Sequence, residues 1–255
     1  MAQISSTQRL LSARRLAVCT LSFLPVERGF ALAMNRDEKK SRVRGEKPRK
    51  QRTGRYLSLH PSEPGGGTWI GVNHRGLALA LINWHAKPLN EQACVSRGVV
   101  VPHLLAAENL ERAAKLLVSL PLERLNPFRL IAVSLSERRL QEGRWDGNCL
   151  NLSQRPWVRS HWFSSGLDEA GAARARAKIA GRTPGTVSQL RRLHCSHQPE
   201  RGAFSVCMHR DDAETVSYTE VLADREGAWM RHAAGALCKE RLGAPSFLSF
   251  RAPLA

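Results

Sequence analysis

The sequence lacks long apolar runs, paired cysteine motifs and a balancing number of acidic residues. No stretch of 18 consecutive apolar residues occurs among the 255 residues, so we predict no membrane span. The six cysteines include no CxxC pair and follow no secretory signal, which predicts a reduced, cytoplasmic protein without a disulfide framework. Acidic residues number 22 against 39 lysines and arginines, which gives a net charge of +17.

Much of this positive charge lies in one segment, residues 39–55. The segment contains nine basic residues against Glu46 alone, together with proline and glycine, and this composition predicts a solvated loop. Such a loop could attract phosphate, acidic lipid or nucleic acid. However, Tyr56 is the sole aromatic residue beside it, and no helix-turn-helix, zinc-finger or RNA-binding motif accompanies it. We therefore do not predict nucleic acid as a partner.

The apolar pattern predicts one domain of the α+β class. A hydrophobic fraction of 42% in 255 residues suffices for one sizeable core. Strands, then helices, then strands again favour a four-layer sandwich. The predicted strands are 19–24, 30–34, 68–73, 77–83, 128–135, 204–208, 215–223 and 227–232; the predicted helices are 105–120 and about 164–180, with a loop over 181–202. We place the domain at residues 18–242, after an overhang of 1–17 and before a tail of 243–255.

The first two predicted strands form a hairpin that would bring candidate catalytic residues together. A hairpin of this size returns Arg36 and Asp37 to the end of the sheet at which Cys19 lies. A thiol beside a guanidinium and a carboxylate suits a nucleophile, because a nearby cation favours the thiolate. The alternative is a small buried cysteine on a strand that a charged turn follows.

Four blocks of the N-terminal third occur in an order and spacing that resemble one family. They are Cys19-Thr20-Leu21, Asn35-Arg36-Asp37-Glu38, Gly66-Gly67-Thr68-Trp69-Ile70-Gly71-Val72 and Leu81-Ile82-Asn83. These blocks resemble the NRDE family, also called the transport and Golgi organisation type. The resemblance implies a branch of the N-terminal-nucleophile hydrolases, with a four-layer αββα sandwich and a cysteine directly after the initiator methionine.

The resemblance also implies roles for individual residues. Cys19 would be the nucleophile and its own α-amine the base, with Arg36 as electrostatic partner, Asp37 orienting the ammonium group and Asn83 donating to the oxyanion. Asn35 and Trp69, from the same blocks, and Arg210, from a later block, are expected to bind substrate. Structural alternatives stay open: Asn83 could simply end a strand, Asp37 could pair with Arg36, and Arg210 could lie in a solvated turn.

The overhang of residues 1–17 does not fit a nucleophile at the second position. A misassigned start, with translation beginning at Val18, is the interpretation we favour; a removable propeptide and a targeting segment are the alternatives. Arg9, Arg14 and Arg15 without any acidic residue resemble a transit segment more than a secretory one.

One cluster of soft ligands occurs in the sequence. His194-Cys195-Ser196-His197, with Cys207 and His209 a short way on, could hold zinc if the chain closed around them. The spacing matches no established finger, so we predict neither a metal nor a cofactor.

These observations rank three functions. The first is an amidohydrolase with a cysteine nucleophile that cleaves a linear C–N amide bond of a small molecule of unknown identity. The second is a non-catalytic carrier on the same fold that handles haem or an acyl lipid. The third is a binder of nucleic acid or membrane surfaces through residues 39–55. The sequence leaves the oligomeric state open.

Overall fold

The computed structural model describes residues 19–250 apart from residue 184. The predicted overhang therefore lies outside the described residues, as do the last five residues of the predicted tail. Among the described residues, two antiparallel sheets hold thirteen strands.

The first sheet contains six strands of the described chain. In spatial order they are β10 (Ser160–Ser164), β1 (Cys19–Val26), β2 (Gly29–Lys39), β11 (Ala213–Ala223), β12 (Gly227–Ala233) and β13 (Ser246–Ser249). The strand β1 is thus an interior strand, with β2 on one side and β10 on the other.

The second sheet contains seven strands of the described chain, which follow one another as a meander. They are β3 (Glu46–Thr53), β4 (Tyr56–Ser62), β5 (Ile70–Asn73), β6 (Leu77–Asn83), β7 (Phe128–Ser134), β8 (Arg139–Trp145) and β9 (Leu150–Arg155). The strand β3 forms one edge of this sheet, and most of its side chains are exposed.

Four α-helices occur in the described residues and cover the outer faces of the sheets. They are α1 (Val100–Leu104), α2 (Leu110–Val118), α3 (Glu169–Gly181) and α4 (Val187–His194). Short 3₁₀ turns precede α1 and follow α2, at Arg97–Val99 and Leu122–Arg124. No helix of the described chain is long and apolar enough to cross a membrane.

Alternation along the strands builds three apolar layers. On β2, Leu32 and Met34 face the second sheet, whereas Ala31 and Ala33 face α3 and α4, because successive side chains of a strand point to opposite faces. The layer between the sheets includes Leu21, Phe23, Phe30, Ile70, Val72, Ile82 and Ile131. A further layer packs α1 and α2 on the second sheet through Leu79, Leu130, Val101, Leu104 and Leu117. The order helix, sheet, sheet, helix confirms the predicted αββα class.

Several local predictions differ from the structure. Residues 39–55, predicted as a loop, contain the edge strand β3, whose main chain pairs with β4 although its side chains are charged. Residues 181–202, also predicted as a loop, contain α4, where Leu190 and Leu193 are buried at helical spacing. The predicted tail includes β13, which pairs with β12 beyond residue 242.

Two predicted helix boundaries differ from those in the structure because polar side chains cap the helices at other positions. The predicted helix 105–120 is interrupted, because Asn109 accepts a hydrogen bond from the Arg112 main-chain nitrogen (2.8 Å) and begins α2. The helix expected to begin near residue 164 starts later, at the cap Asp168, whose Oδ1 accepts from the Gly171 nitrogen (2.8 Å).

Candidate active site

The register of the first sheet places Cys19 at the centre of a polar group. Cys19 lies opposite Arg36 on β2 and opposite Ser164 on β10. Directly opposed residues of antiparallel strands point to the same face, so the thiol and the Arg36 guanidinium both face the second sheet. The main-chain nitrogen of Cys19 donates to the Ser164 hydroxyl at 3.0 Å. The hairpin that the sequence predicts is therefore present with this register.

A cavity of about 450 Å³ opens beside this thiol. Its lining residues come from both sheets and from the 3₁₀ turn before α1: Cys19, Met34, Arg36, Asp37, Glu38, Lys39, Arg42, Glu63, Thr68, Trp69, Leu81, Asn83, Ser96, Arg97 and Gly98. The size is typical of a small-molecule site. Five predicted site residues, Cys19, Arg36, Asp37, Asn83 and Trp69, thus meet at one cavity.

Arg36 is held by two carboxylates and an indole. Its Nη2 donates to Glu63 and lies 3.6 Å from an oxygen of Glu38, and its guanidinium lies 4.7 Å from the centre of the Trp69 ring. Arg42 bridges the same two acids, at 2.7 Å from Glu38 and 2.9 Å from Glu63. The two arginines and two glutamates form a network that neutralises most of the charge near the thiol.

The residue Asp37 lines the cavity, but its carboxylate points to the opposite face of the sheet, toward the helices. Its Oδ1 accepts from the Thr215 hydroxyl at 2.5 Å, and its Oδ2 lies 3.8 Å from Arg176 of α3. No hydrogen-bond partner for Oδ2 occurs among the described residues, although this oxygen is buried. Burial raises the pKa of Asp37 to about 7, against the opposing effect of the Arg176 cation.

Arg176 is a fully buried cation that links this acid to β1. Its guanidinium donates to the Thr20 hydroxyl at 3.0 Å and to the Ala203 carbonyl at 3.3 Å. It also reaches the Cys19 carbonyl at 3.4 Å. Because the side chain spans β1, β2 and the segment before β11, it fixes the Cys19 main chain relative to Asp37.

Burial dominates the acidity of the thiol in this chain. Burial and the nearby Asp37 carboxylate raise the pKa of Cys19 to about 12, whereas Arg36 and the Asp37 main chain act in the opposite direction. The guanidinium therefore favours the thiolate, as the sequence predicts, but the low-polarity surroundings outweigh it. With its nitrogen in a peptide bond, Cys19 carries a neutral thiol at neutral pH.

The second sheet supplies the opposite wall. Asn83 ends β6 and is half-buried at the cavity, where an amide N–H could meet a developing oxyanion. Arg97 lies close by and donates to the Pro127 carbonyl at 2.9 Å. Burial lowers the pKa of Arg97 to about 10, which leaves a cation at neutral pH.

Two predicted substrate-binding residues lie away from this cavity. The Asn35 amide faces the helical side of the sheet and donates to the carbonyls of His194 and Val206, each at 2.9 Å. Arg210 lies in the turn before β11, where it pairs with Asp212 at 3.0 Å. In both positions the side chain contributes to local structure.

Sequence reasoning missed Glu63, Arg97, Ser164, Arg176 and Thr215. Glu63 and Arg97 lie in irregular segments without a periodic pattern. Arg176 resembles its exposed neighbours in an arginine-rich helix, and no local pattern marks it as buried. The sequence placed Ser164 at the start of a predicted helix, and its contact with Cys19 spans 145 residues of sequence.

His194 lies apart from His197, Cys207 and His209, whose ligand atoms come together with that of Cys238. His194 is buried and its Nε2 lies 2.9 Å from the Ser22 hydroxyl, so it stabilises the packing of α4 on β1.

A second cavity, of about 870 Å³, lies at the opposite end of the sheets between the β1–β2 and β5–β6 turns. Its described lining contains no cysteine, and we therefore place the chemistry at the smaller cavity.

The solved structures similar to the chain include two variants of conjugated bile acid hydrolase from Clostridium perfringens. The first variant is 10% identical to this chain with a TM-score of 0.48, and the match covers 89% of this chain and 96% of the variant. The second is 9% identical with a TM-score of 0.48, and the match covers 91% of this chain and 97% of the variant. Penicillin V acylase from Agrobacterium tumefaciens is 12% identical with a TM-score of 0.46 and covers 88% and 84%.

No curated protein matches the sequence. The model of one family, described as Transport and Golgi organisation 2, matches residues 20–167, which is more than half of the 255 residues. The match covers Arg36, Asp37 and Asn83 and begins at the residue after Cys19. The chain belongs to the Transport and Golgi organisation 2 family.

Proposed function

We propose that the chain is an N-terminal-nucleophile amidohydrolase that cleaves a linear C–N amide bond of a small polar molecule. The nucleophile is Cys19, and the base is the α-amine that this residue gains when the residues before it are absent. One observation carries the proposal: Cys19 lines a cavity of about 450 Å³ together with Arg36, Asp37 and Asn83.

The buried acid gives a reason for a free amine at this position. Asp37 directly follows the residue that is paired with Cys19, and one of its buried oxygens has no hydrogen-bond partner in the described chain. A buried carboxylate without a full set of partners is costly. An ammonium group at the Cys19 nitrogen would add a positive charge near this carboxylate and return the pKa of Asp37 toward its ordinary range.

The same amine makes the thiol reactive. A free α-amine has an ordinary pKa near 8, so the neutral form can accept the thiol proton directly or through a water molecule. The cysteine then holds nucleophile and base in one residue, and the ammonium formed beside the sulfur stabilises the thiolate. This arrangement replaces the separate histidine of a Cys–His pair.

The reaction then proceeds in two stages. Sulfur attacks the amide carbonyl, the Asn83 amide donates to the oxyanion, and the ammonium passes its proton to the departing nitrogen as the C–N bond breaks. Water, deprotonated by the same amine, adds to the thioester and breaks the S–C bond. The products are a carboxylic acid and an amine, and the thiol is restored.

The charge of the cavity indicates the substrate class. Seven of its fifteen lining residues carry acidic or basic side chains, so an apolar acyl chain or a haem would have to desolvate them. This favours a compact polar amide over the ligands of a carrier. The Arg36–Glu63 pair and the Arg97 cation are the groups that would select charged substituents.

The experiment compares two forms of the protein. The first is the full chain; the second is released from a fusion by a protease that cuts directly before Cys19. We expect the released form alone to hydrolyse members of a panel of small acyl amides, as followed by mass spectrometry of the products. Cys19→Ala in the released form should abolish turnover, whereas Cys94→Ala, at an exposed cysteine outside the cavity, should not.

Three results would reject the proposal. They are equal turnover by both forms, turnover that survives Cys19→Ala, and saturable binding of hemin or acyl-CoA by a released form that hydrolyses nothing in the panel. Intact-mass analysis after brief iodoacetamide treatment gives a second readout. It should show one fast alkylation in the released form, and that alkylation should disappear in Cys19→Ala.

A further inference from the structure

Four soft ligands converge on the outer side of the first sheet, away from the cavity. His197 follows α4, Cys207 and His209 precede β11, and Cys238 follows β12. One ligand atom from each of them lies within 4.8 Å of every other. We propose that His197, Cys207, His209 and Cys238 bind one zinc ion.

The distances are close to those of a tetrahedral Cys₂His₂ site. Zn–S bonds of about 2.3 Å and Zn–N bonds of about 2.0 Å at tetrahedral angles require S–S separations of about 3.8 Å and S–N separations of about 3.5 Å. The Sγ atoms of Cys207 and Cys238 are 3.5 Å apart. His209 Nε2 lies 3.6 Å from the first sulfur and 3.2 Å from the second. The His197 nitrogen lies within 4.8 Å of the other three ligand atoms, so an approach of about 1.5 Å or less completes the set.

Two independent observations point to a ligand at this place. The Nε2 atom of His197 is buried and has no hydrogen-bond partner among the described residues, although its ring lies 5.1 Å from the ring of His209. On the far side of His209, Nδ1 lies 3.7 Å from a Glu214 carboxylate oxygen. Zinc-bound histidines commonly direct their other ring nitrogen to a carboxylate, which orients the ring and strengthens the ligand.

The donor set selects zinc among the divalent metals. Two thiolates and two imidazoles in tetrahedral array suit Zn²⁺, whereas Mg²⁺ and Ca²⁺ require oxygen ligands. A disulfide between Cys207 and Cys238 is the competing chemistry, since the cysteines are free but their sulfurs are adjacent. The two histidines have no function in a disulfide, which favours the metal.

The ion would join three segments that lie outside the helices and strands. Between Cys207 and His209, Met208 exchanges hydrogen bonds with Thr215: the Met208 nitrogen donates to the Thr215 hydroxyl (2.9 Å) and the Thr215 nitrogen donates to the Met208 carbonyl (2.9 Å). Thr215 in turn donates to Asp37. Zinc is therefore a structural ion that holds the partner of this acid in place, and its binding does not depend on the proposed hydrolysis.

The first test is metal content. The full chain, expressed in zinc-supplemented medium, freed of any histidine tag and gel-filtered, should contain about one zinc per chain by plasma mass spectrometry. Cys238→Ser should retain almost none. Cys195→Ser, at the neighbouring cysteine outside the four ligands, is the matched control and should retain the full amount. Replacement by Co²⁺ should give the visible absorption of a tetrahedral thiolate site in the control but not in Cys238→Ser.

The second test addresses the carboxylate behind His209. Glu214→Gln should weaken zinc affinity about 10- to 100-fold in chelator competition. Lys239→Met, which removes the other partner of Glu214 and leaves its carboxylate in place, should lower the affinity much less. Removing zinc from the unchanged protein should also speed hydrogen exchange at the Thr215 amide.

Several results would overturn the site. These are zinc-free protein after reconstitution with zinc sulfate, equal zinc in Cys238→Ser and the control, and a Cys207–Cys238 disulfide in protein purified under reducing conditions. Should Cys238→Ser fail to fold, His197→Gln removes a ligand that is only half-buried and tests the same claim. That variant must also lose the metal.

Discussion

Asp37→Asn tests directly whether burial keeps the Asp37 carboxyl of the candidate site protonated. The structure raises the pKa of this buried carboxyl from its ordinary 3.8 to about 7. Between these two values the folded protein keeps a proton that the unfolded chain releases, so the free energy of unfolding falls as pH rises. The stability that the protonated acid contributes is complete below the ordinary pKa and is lost as pH rises through about 7.

The expected size follows from the shift. One pKa unit corresponds to about 1.4 kcal/mol, so a shift of about three units predicts a loss of about 4 kcal/mol between pH 4 and pH 7. Asparagine keeps an oxygen for the Thr215 hydroxyl but has no proton to lose. The unfolding free energy of the unchanged protein minus that of Asp37→Asn should therefore decline by about 1.4 kcal/mol per pH unit in this window.

Urea denaturation of both proteins at several pH values measures this difference. Histidines titrate in the same range, but they are common to both proteins and their contributions cancel. A difference that stays flat above about pH 5 would refute the reasoning, because it would mean that Arg176 keeps the acid ionised throughout. Repeating the series on the form released at Cys19 should remove most of the slope, since an ammonium group there would compensate the carboxylate.

Three further predictions concern stability elsewhere in the fold. Glu142→Gln should lower the free energy of unfolding by about 2 kcal/mol at neutral pH, because this buried carboxylate contacts three arginines. The arginines lower the pKa of Glu142, so the effect of the substitution should shrink when urea denaturation is repeated at falling pH. Burial lowers the pKa of His194 to about 3, so stability should be complete above the ordinary 6.5 and decline by about 1.4 kcal/mol per unit below it, a decline that His194→Gln should reduce. Gly29→Ala would place a Cβ 1.8 Å from the Ala223 carbonyl oxygen and should cost about 3 kcal/mol in thermal or urea unfolding, whereas Gly65→Ala, with no heavy atom within 4 Å, should be nearly neutral.

Short-range pattern predicted the elements that meet at the cavity. The apolar runs 19–24 and 30–34, and the short turn between them, were enough to place Cys19 beside Arg36. Such features are local: a hairpin fixes its own register through its turn and its buried face. The apolar strands β5, β6 and β7 were likewise predicted within one or two residues.

The sequence analysis missed a strand without an apolar pattern and contacts between residues far apart in the sequence. The strand β3 has charged side chains, and it exists because its main chain pairs with β4 across a two-residue turn. Cys238 joins His197 across 41 positions, and neither residue lies in a pattern that links them. Arg176 reaches Asp37 through the packing of α3 on the first sheet. These contacts depend on tertiary structure, which no window of sequence contains.

The composition of β3 has a consequence for how copies of this protein meet. An outermost strand exposes a row of unpaired N–H and C=O groups that invites another chain to extend the sheet. Here that border bears Lys47, Arg49, Lys50 and Arg52, with Pro48 removing one donor. Two such edge strands brought together would repel each other. The strand β3, whose composition is typical of a loop, therefore also protects the sheet from edge-to-edge aggregation.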